Sequence, residues 1–344
     1  MKVLVIGGTR FVGLRLVRAL AREGHDVTLL NRGRTQAQLP AGLKRLTADR
    51  RNAQQVKEAL KGQEFEAAFD ITGYQVVNLE PMVEVLGGRI GHYVFQSTCG
   101  VYADTELLPV LEGSPLRQRV PGLSGLAAYE FEKAECEGYL MKAYREKGFP
   151  ATIFRCPVIY GPENWMDDRE GSFFYRLLQG RKVLVPGGGL TVLQMAYVDD
   201  VARAHISVVG KKSTFGQAYN IASAQAITIN GYLDTIAQVI GKEVHKVYLE
   251  PREVRGLKRA VFPFSGDRSL FYGIQKAKDD FGFWPEYDAQ RCTEDTYRWY
   301  KAQHLDQMTY DFSFEDQLLA TYGGDPQRHR RITPGGEMPQ VGGG

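Results

Sequence analysis

The hydrophobic pattern begins at the second residue. Residues 2–6 are a run of strand formers, as in a strand buried on both faces of a parallel sheet. A glycine-rich turn follows, and then Phe11, Val12, Leu14, Leu16, Val17 and Leu20 recur at helical spacing. This strand, turn and helix set a rhythm that the next 150 residues keep. Strands are predicted at Val27–Leu30, 43–47, 65–71, 92–96 and 151–155, with helices at 52–61, 75–86 and 127–147. Such alternation implies right-handed crossovers and a doubly wound α/β fold, a parallel sheet with helices on both faces. From about residue 160 the alternation weakens, although helices are predicted near 199–209, 229–240, 271–281 and 289–304. The pattern therefore divides into a nucleotide-binding domain over 1–165, with a contribution from about 190–225, and a smaller α/β substrate lobe over 166–322. Residues 323–344 are interrupted by Gly and Pro without apolar periodicity and read as a disordered tail.

Composition narrows this picture only a little. Hydrophobic residues make up 43% and charged residues 24% of the 344, ordinary values for a globular chain, and a net charge of +3 is too small to argue for nucleic acid. No apolar run approaches the ~20 residues of a membrane span. The first strand leaves no room for a signal peptide. Cys99, Cys136, Cys156 and Cys292 have neither metal-ligand nor disulfide spacing. They fit reduced thiols in a cytoplasm, and no metal site is expected.

The turn Gly7-Gly8-Thr9-Arg10-Phe11-Val12-Gly13 carries the first chemistry. Glycines there let the backbone approach a pyrophosphate seated on the helix N-terminus. A carboxylate at the end of the second strand would hold an adenosine ribose and repel a 2′-phosphate. Here that position is Asn31, followed by Arg32-Gly33-Arg34, and guanidinium pairs well with phosphate. The preferred cofactor is NADP(H), with NAD(H) second. Asp49 and Arg50, after the third strand, complete the candidate cofactor set. The fifth strand ends in Ser97-Thr98, and the long helix carries Tyr129 and Lys133 at i and i+4, on one face. An ammonium so placed is expected to favour the phenolate and lower the tyrosine pKa. Tyr129 would then move a proton at a substrate oxygen that Thr98 also hydrogen-bonds.

Together these pieces resemble an extended short-chain dehydrogenase/reductase of the epimerase/dehydratase type. The resemblance rests on Gly7 to Gly13, Ser97-Thr98 with Val101-Tyr102, Tyr129 with Lys133, Arg155-Cys-Pro-Val-Ile-Tyr-Gly-Pro162, and Tyr197-Val-Asp-Asp-Val-Ala202. It implies a Rossmann fold, a Thr98–Tyr129–Lys133 catalytic triad in which Lys133 also binds the nicotinamide ribose, and Pro157 and Ile159 beside the nicotinamide. It further implies a homodimer paired through the helix carrying Tyr129, for which Leu140 and Met141 read as outward apolar residues. A narrower resemblance, to the chloroplast stem-loop-binding protein branch, rests on Phe262-Pro-Phe264, Gln275-Lys-Ala-Lys278, Phe281-Gly-Phe-Trp-Pro285 and Asp311-Phe-Ser-Phe-Glu-Asp316. That branch includes RNA-binding plant proteins that do not keep the catalytic tyrosine motif, whereas this sequence keeps it.

Three departures from the family pattern shape the functional reading. Arg10 replaces the middle glycine of the turn, adding a phosphate contact at some steric cost. Cys99 and Gly100 stand where dehydratases carry Asp-Glu, which argues against dehydration. The stretch Leu190 to Ala196 has no basic residue for a diphosphate, which argues against a nucleotide-diphosphate substrate. Trp165, Phe173, Met195 and Tyr197, with Phe262 and Phe264, read instead as an apolar pocket. The sequence thus points to an NADP(H)-dependent oxidoreductase acting on a carbonyl or alcohol of a small metabolite. The alternatives are a sugar or nucleotide-sugar epimerase with retained cofactor and an RNA-binding protein on this scaffold, the latter drawing on Arg328-His-Arg-Arg331.

Overall fold

The structure, a computed structural model, describes residues 1–164, 166, 169–255, 257, 260–263 and 268–332. They form two compact units. The first comprises Met1–Ile159, Met195–Ala224 and Tyr272–Glu286, and the second Tyr160–Gln194, Gln225–Phe271 and Tyr287 onward.

The first unit is built on seven parallel strands: β1 (Lys2–Ile6), β2 (Asp26–Asn31), β3 (Lys44–Thr47), β4 (Ala67–Asp70), β5 (Tyr93–Thr98), β6 (Ala151–Cys156) and β7 (Gln217–Asn220). Their order across the sheet is β7-β6-β5-β4-β1-β2-β3. The chain thus reverses direction of travel between β1 and β4, where Val5 pairs Leu29 on one side and Phe69 on the other. That reversal opens a crevice at the carboxyl ends of the strands. The helices are α1 (Phe11–Arg22), α2 (Ala53–Leu60), α3 (Val76–Leu86), α4 (Gly125–Lys147), α5 (Val198–Ser207) and α6 (Gln275–Phe281). Continuous apolar strands bury both faces of the sheet: Val3, Leu4, Val5, Val94 and Phe95 are each 0% exposed.

Two elements of this unit depart from the sequence reading. Strand β7 is only four residues long and half polar, too short for periodicity to register, yet it pairs β6 in register Ala218↔Ile153. Helix α6 begins at Gln275 rather than 271, because Tyr272 bridges to Val110 and the Gly273 N–H donates to the Val110 carbonyl. Phe281 then stacks on Phe154 and packs edge-on to Tyr219, drawing α6 into the first unit. Leu140, read as outward, is fully buried in the core, and Met141 packs partly buried against it. That feature therefore lends no support to a homodimer.

In the second unit, Val244–Leu249 pairs in parallel with Val183–Pro186 and antiparallel with His329–Ile332. Helices span Glu170–Leu178, Ile229–Ile240, Ala289–Ala302 and Ser313–Tyr322. Part of the segment read as a disordered tail is thus ordered: His329–Ile332 completes this sheet, and Arg328 makes a two-pronged ion pair with Glu253 at 2.7 and 3.0 Å. An edge strand supplied by a neighbour outweighed the weak local pattern. Residues 333–344 lie outside the described residues. All four cysteines are free and buried, and among the described residues no helix is long and apolar enough to cross a membrane. No group of metal-ligating side chains occurs among them either.

Candidate active site

The glycine turn follows β1 at the sheet's carboxyl edge. Gly8 has φ +81°, and a Cβ there would lie 2.7 Å from the Leu29 side chain. A Cβ on Gly13 would lie 2.7 Å from the Gly8 nitrogen and 2.9 Å from its Cα. The first turn of α1 therefore packs directly on the loop, and neither position admits a side chain. Arg10 is extended (φ −145°), a conformation open to any residue, so replacing the glycine strains no backbone there. Beside Gly7 and Gly8, the non-glycine residue of the turn with a positive φ is Phe11, at +40°.

Gly7, Thr9, Asn31, Arg32, Arg34, Asp49 and Arg50 line one cleft of about 350 Å³, which extends to Thr72, Tyr74 and Asn78. Gly8, Val12 and Gly13 are buried and do not line it. Asn31 folds its Oδ1 back onto the Gly33 N–H at 2.8 Å, which leaves its buried Nδ2 without a hydrogen-bond partner. Arg32 and Arg34 are exposed and make no hydrogen bond or ion pair with other described residues. Hydrogen bonds from Arg51 hold the Asp49 carboxyl down at about 2. Arg50 lines the cleft, but its guanidinium is already committed: it bridges both oxygens of Asp70 at 2.6 and 2.7 Å and the Asn78 carbonyl at 2.9 Å.

Thr98 ends β5 at the same edge, and α4 crosses beside it. The inward stripe of α4 is Lys133, Cys136, Glu137, Leu140 and Ala143, so two charged residues sit where helical spacing would put apolar ones. Tyr129 lies one turn before Lys133, and the Thr98 side chain is near enough to act on its phenol. The Lys133 ammonium donates to the Gly73 carbonyl at 2.7 Å and the Gln96 carbonyl at 2.5 Å, and lies 4.3 Å from the centre of the Phe95 ring. Two of its three N–H bonds are used in this way. Burial lowers the Lys133 pKa to about 8, against the pull of Asp70. Burial also pushes the Tyr129 phenol above its usual range, aided by Tyr74, whose ring centre is 6.1 Å away. This overturns the expectation of a lowered tyrosine pKa: loss of hydration outweighs any help from the ammonium. Pro157 and Ile159 follow β6, half-buried, near the same edge.

Glu137, Asp70 and Tyr74, which no motif singled out, complete the site with Arg155 and Tyr102, which the quoted motifs contain. Glu137 accepts from Ser97 Oγ at 2.5 Å and pairs with Arg155 at 2.7 Å, both side chains buried. Arg155 also donates to the Tyr102 hydroxyl, which donates to Asn220 Oδ1 at 2.6 Å. Asp70 pairs with Arg50, and Tyr74 joins the cleft to Tyr129. The only sequence signals were Glu137 one turn after Lys133 and an arginine inside the apolar sixth strand. Of the expected substrate pocket, Phe173, Met195 and Tyr197 are buried at 1, 6 and 1% exposure. Phe173 packs within its own unit against Phe262 and Tyr232. Trp165 and Phe264 lie outside the described residues. Cys99 is a packing residue whose thiol is pushed well up by burial.

A helix N-terminus with no room for side chains, an unpartnered amide nitrogen and uncommitted arginines around one cleft fit a dinucleotide. The family model described as "NAD dependent epimerase/dehydratase family" matches residues 3–81 and 79–222. The chain is 32% identical, over 93% of its own length and 84% of the relative's, to the Arabidopsis thaliana "Chloroplast stem-loop binding protein of 41 kDa b, chloroplastic". Among solved structures it is similar to a UDP-glucose 4-epimerase with UDP-glucose from Thermotoga maritima, with a TM-score of 0.74 at 21% identity over 88% of this chain and 100% of that one. It is also similar to a dTDP-glucose 4,6-dehydratase from Bacillus anthracis in complex with NAD, with a TM-score of 0.72 at 20% identity over 88% and 97%. These two likenesses establish the fold.

Proposed function

For a chain that belongs to the NAD dependent epimerase/dehydratase family, we propose NAD(P)(H)-dependent hydride transfer at a hydroxyl-bearing carbon of a small molecule. The observation that carries this reading is Lys133, buried and held by the Gly73 and Gln96 carbonyls one turn below Tyr129, in the same unit as Thr98 and the glycine-turn cleft. Gly7 and Thr9 would hold the pyrophosphate at the α1 N-terminus, Asp49 the adenosine end, and Lys133 the nicotinamide ribose through its remaining N–H. When bound, the nicotinamide accepts or supplies the hydride. The residues of the chain handle the proton. Thr98 fixes a substrate oxygen, Tyr129 gives that oxygen a proton or takes one from it, and Lys133 stabilises the phenolate left behind.

We infer NADP(H) as the preferred form. Asn31 cannot repel a 2′-phosphate, and Arg32 and Arg34 are exposed and uncommitted. The name of the Thermotoga maritima relative supports epimerisation, for which a cofactor held in the cleft would stay bound through the whole cycle. Net carbonyl reduction is the second reading. Its proton donor would be the Tyr129 phenol, whose ionisation burial disfavours. Denaturing the purified protein and identifying the released nucleotide by mass spectrometry separates the two. About one equivalent of retained nucleotide supports epimerisation. An empty protein that binds NADPH reversibly supports reduction. A protein that neither releases nor binds a nicotinamide nucleotide refutes both.

A further inference from the structure

Beneath the cleft lies a group of buried charges that proton transfer by the triad does not call upon. Asp70, the last residue of β4, is 0% exposed. It accepts from both terminal nitrogens of Arg50, from the Tyr93 hydroxyl at 2.5 Å and from the Thr72 N–H at 3.1 Å. Arg50 also donates to the Thr72 hydroxyl at 3.1 Å, so the start of the turn from Ile71 to Tyr74 is tied down twice. The next residue is Gly73, whose carbonyl receives the Lys133 ammonium at 2.7 Å. Gly73 is wedged in place: a Cβ there would lie 2.7 Å from the Phe95 ring and 3.1 Å from Asp70 Oδ2.

We propose that Asp70, clamped by Arg50 and Tyr93, is a positioning residue for Lys133: it fixes the turn whose carbonyl receives the ammonium and supplies the negative charge that keeps the ammonium protonated in a buried site. The proposal rests on the reading of Lys133 as part of the triad.

The groups facing Lys133 come from every element around it. Tyr129, Cys136 and Glu137 share its helix, Asp70 and Tyr74 flank the turn after β4, Arg50 lies after β3, Tyr93 is on β5 and Cys156 on β6. Burial holds the phenols up and pushes both thiols to about 12, so near neutral pH they carry no charge. Glu137 is engaged by Arg155. Burial disfavours ionised Asp70, but Arg50, with Tyr93 and Lys133, outweighs it and holds the carboxyl below its usual range. The charges that set the state of Lys133 are thus Asp70, which favours the ammonium, and Arg50, which opposes it.

The test reads Lys133 directly, without substrate or cofactor. The protein is labelled with ¹³Cε-lysine, and the Lys133 resonance, identified by its loss in Lys133→Arg, is titrated by NMR. Asp70→Asn is expected to lower the midpoint by about one pH unit, because it removes the negative charge that most favours the ammonium. Arg50→Gln is expected to raise it. A residue that merely held the fold would move both midpoints in the same direction or neither. The double variant Asp70→Asn/Arg50→Gln removes both members of the Asp70–Arg50 ion pair, stranding neither, and covers the case in which a single variant does not fold. Its midpoint is expected to fall by less than that of Asp70→Asn. Midpoints equal to wild type, or shifts of like sign in the single variants, would overturn the proposal. Because no turnover is measured, absence of hydride transfer would refute the triad and leave this result standing.

Discussion

Two histidines buried in the first unit make its stability depend on pH in a way that can be worked out from their surroundings. The Nδ1 atom of His92 accepts from the Gly210 N–H at 3.2 Å, which leaves Nε2 to donate to the Thr152 hydroxyl at 2.8 Å. A second proton would have to enter where Gly210 already points. His205 Nδ1 donates to the Val201 carbonyl at 2.8 Å, and its Nε2 is buried without a partner while the ring packs against Phe69 and Phe154. Burial lowers both pKa values from 6.5 to about 4. The unfolded chain therefore binds these protons below about pH 6.5 and the folded chain does not until about pH 4. The contribution of each histidine is intact above 6.5 and lost progressively as pH falls through this window. Fully expressed, such a difference is worth ~3.4 kcal/mol per residue, and about 2 kcal/mol at pH 5. Two residues together remove ~4 kcal/mol at pH 5, a large part of a typical folding free energy of 5–15 kcal/mol. Urea unfolding at pH 7.5 and pH 5.0 measures this, and His92→Gln and His205→Gln should each remove about 2 kcal/mol of the loss on going to pH 5.0. Variants that keep the wild-type dependence would refute the reasoning.

The remaining predictions bear on the site. Gly13→Ala should cost about 1–3 kcal/mol in thermal or urea unfolding, because its Cβ meets main chain rather than a movable side chain, and it should weaken nucleotide binding. An unchanged melting temperature would show that the turn can relax. Arg32→Ala/Arg34→Ala should weaken NADPH roughly tenfold or more in a fluorescence titration and leave NADH within about twofold. That difference should shrink as salt is added. Glu137→Ala strands the Arg155 guanidinium and should cost about 3–5 kcal/mol in urea unfolding; a loss below ~1 kcal/mol would mean the pair is hydrated.

The first unit was legible in the sequence because its strands are buried on both faces and its helices have one apolar face. Strands β1 to β6 and helices α1 to α4 fall within a few residues of their predicted spans. Contacts made across the sequence were not legible. The strand Gln217–Asn220 and the strand His329–Ile332 have little pattern of their own and form because a partner edge is waiting. The site divides in the same way. The glycine turn, the arginines after β2 and the pair Tyr129 and Lys133 are local motifs and were visible. The ion pairs Asp70–Arg50 and Glu137–Arg155 join residues 20 and 18 positions apart, and neither partner announces the other. Leu140 was misread because the buried stripe of α4 also carries Lys133 and Glu137, which disguises its inward face.

The central claim is that Tyr129 moves a proton while a hydride moves to or from a nicotinamide. The most direct test removes any retained nucleotide, loads the protein with NADPH deuterated at the transferred position, offers keto sugars and apolar carbonyl compounds as acceptors, and follows deuterium into product over a single turnover by mass spectrometry. Wild type should transfer the label. Tyr129→Phe, which removes one hydroxyl, should bind NADPH as wild type does and transfer roughly 10²–10⁴-fold more slowly. Transfer at the wild-type rate by Tyr129→Phe would contradict the account.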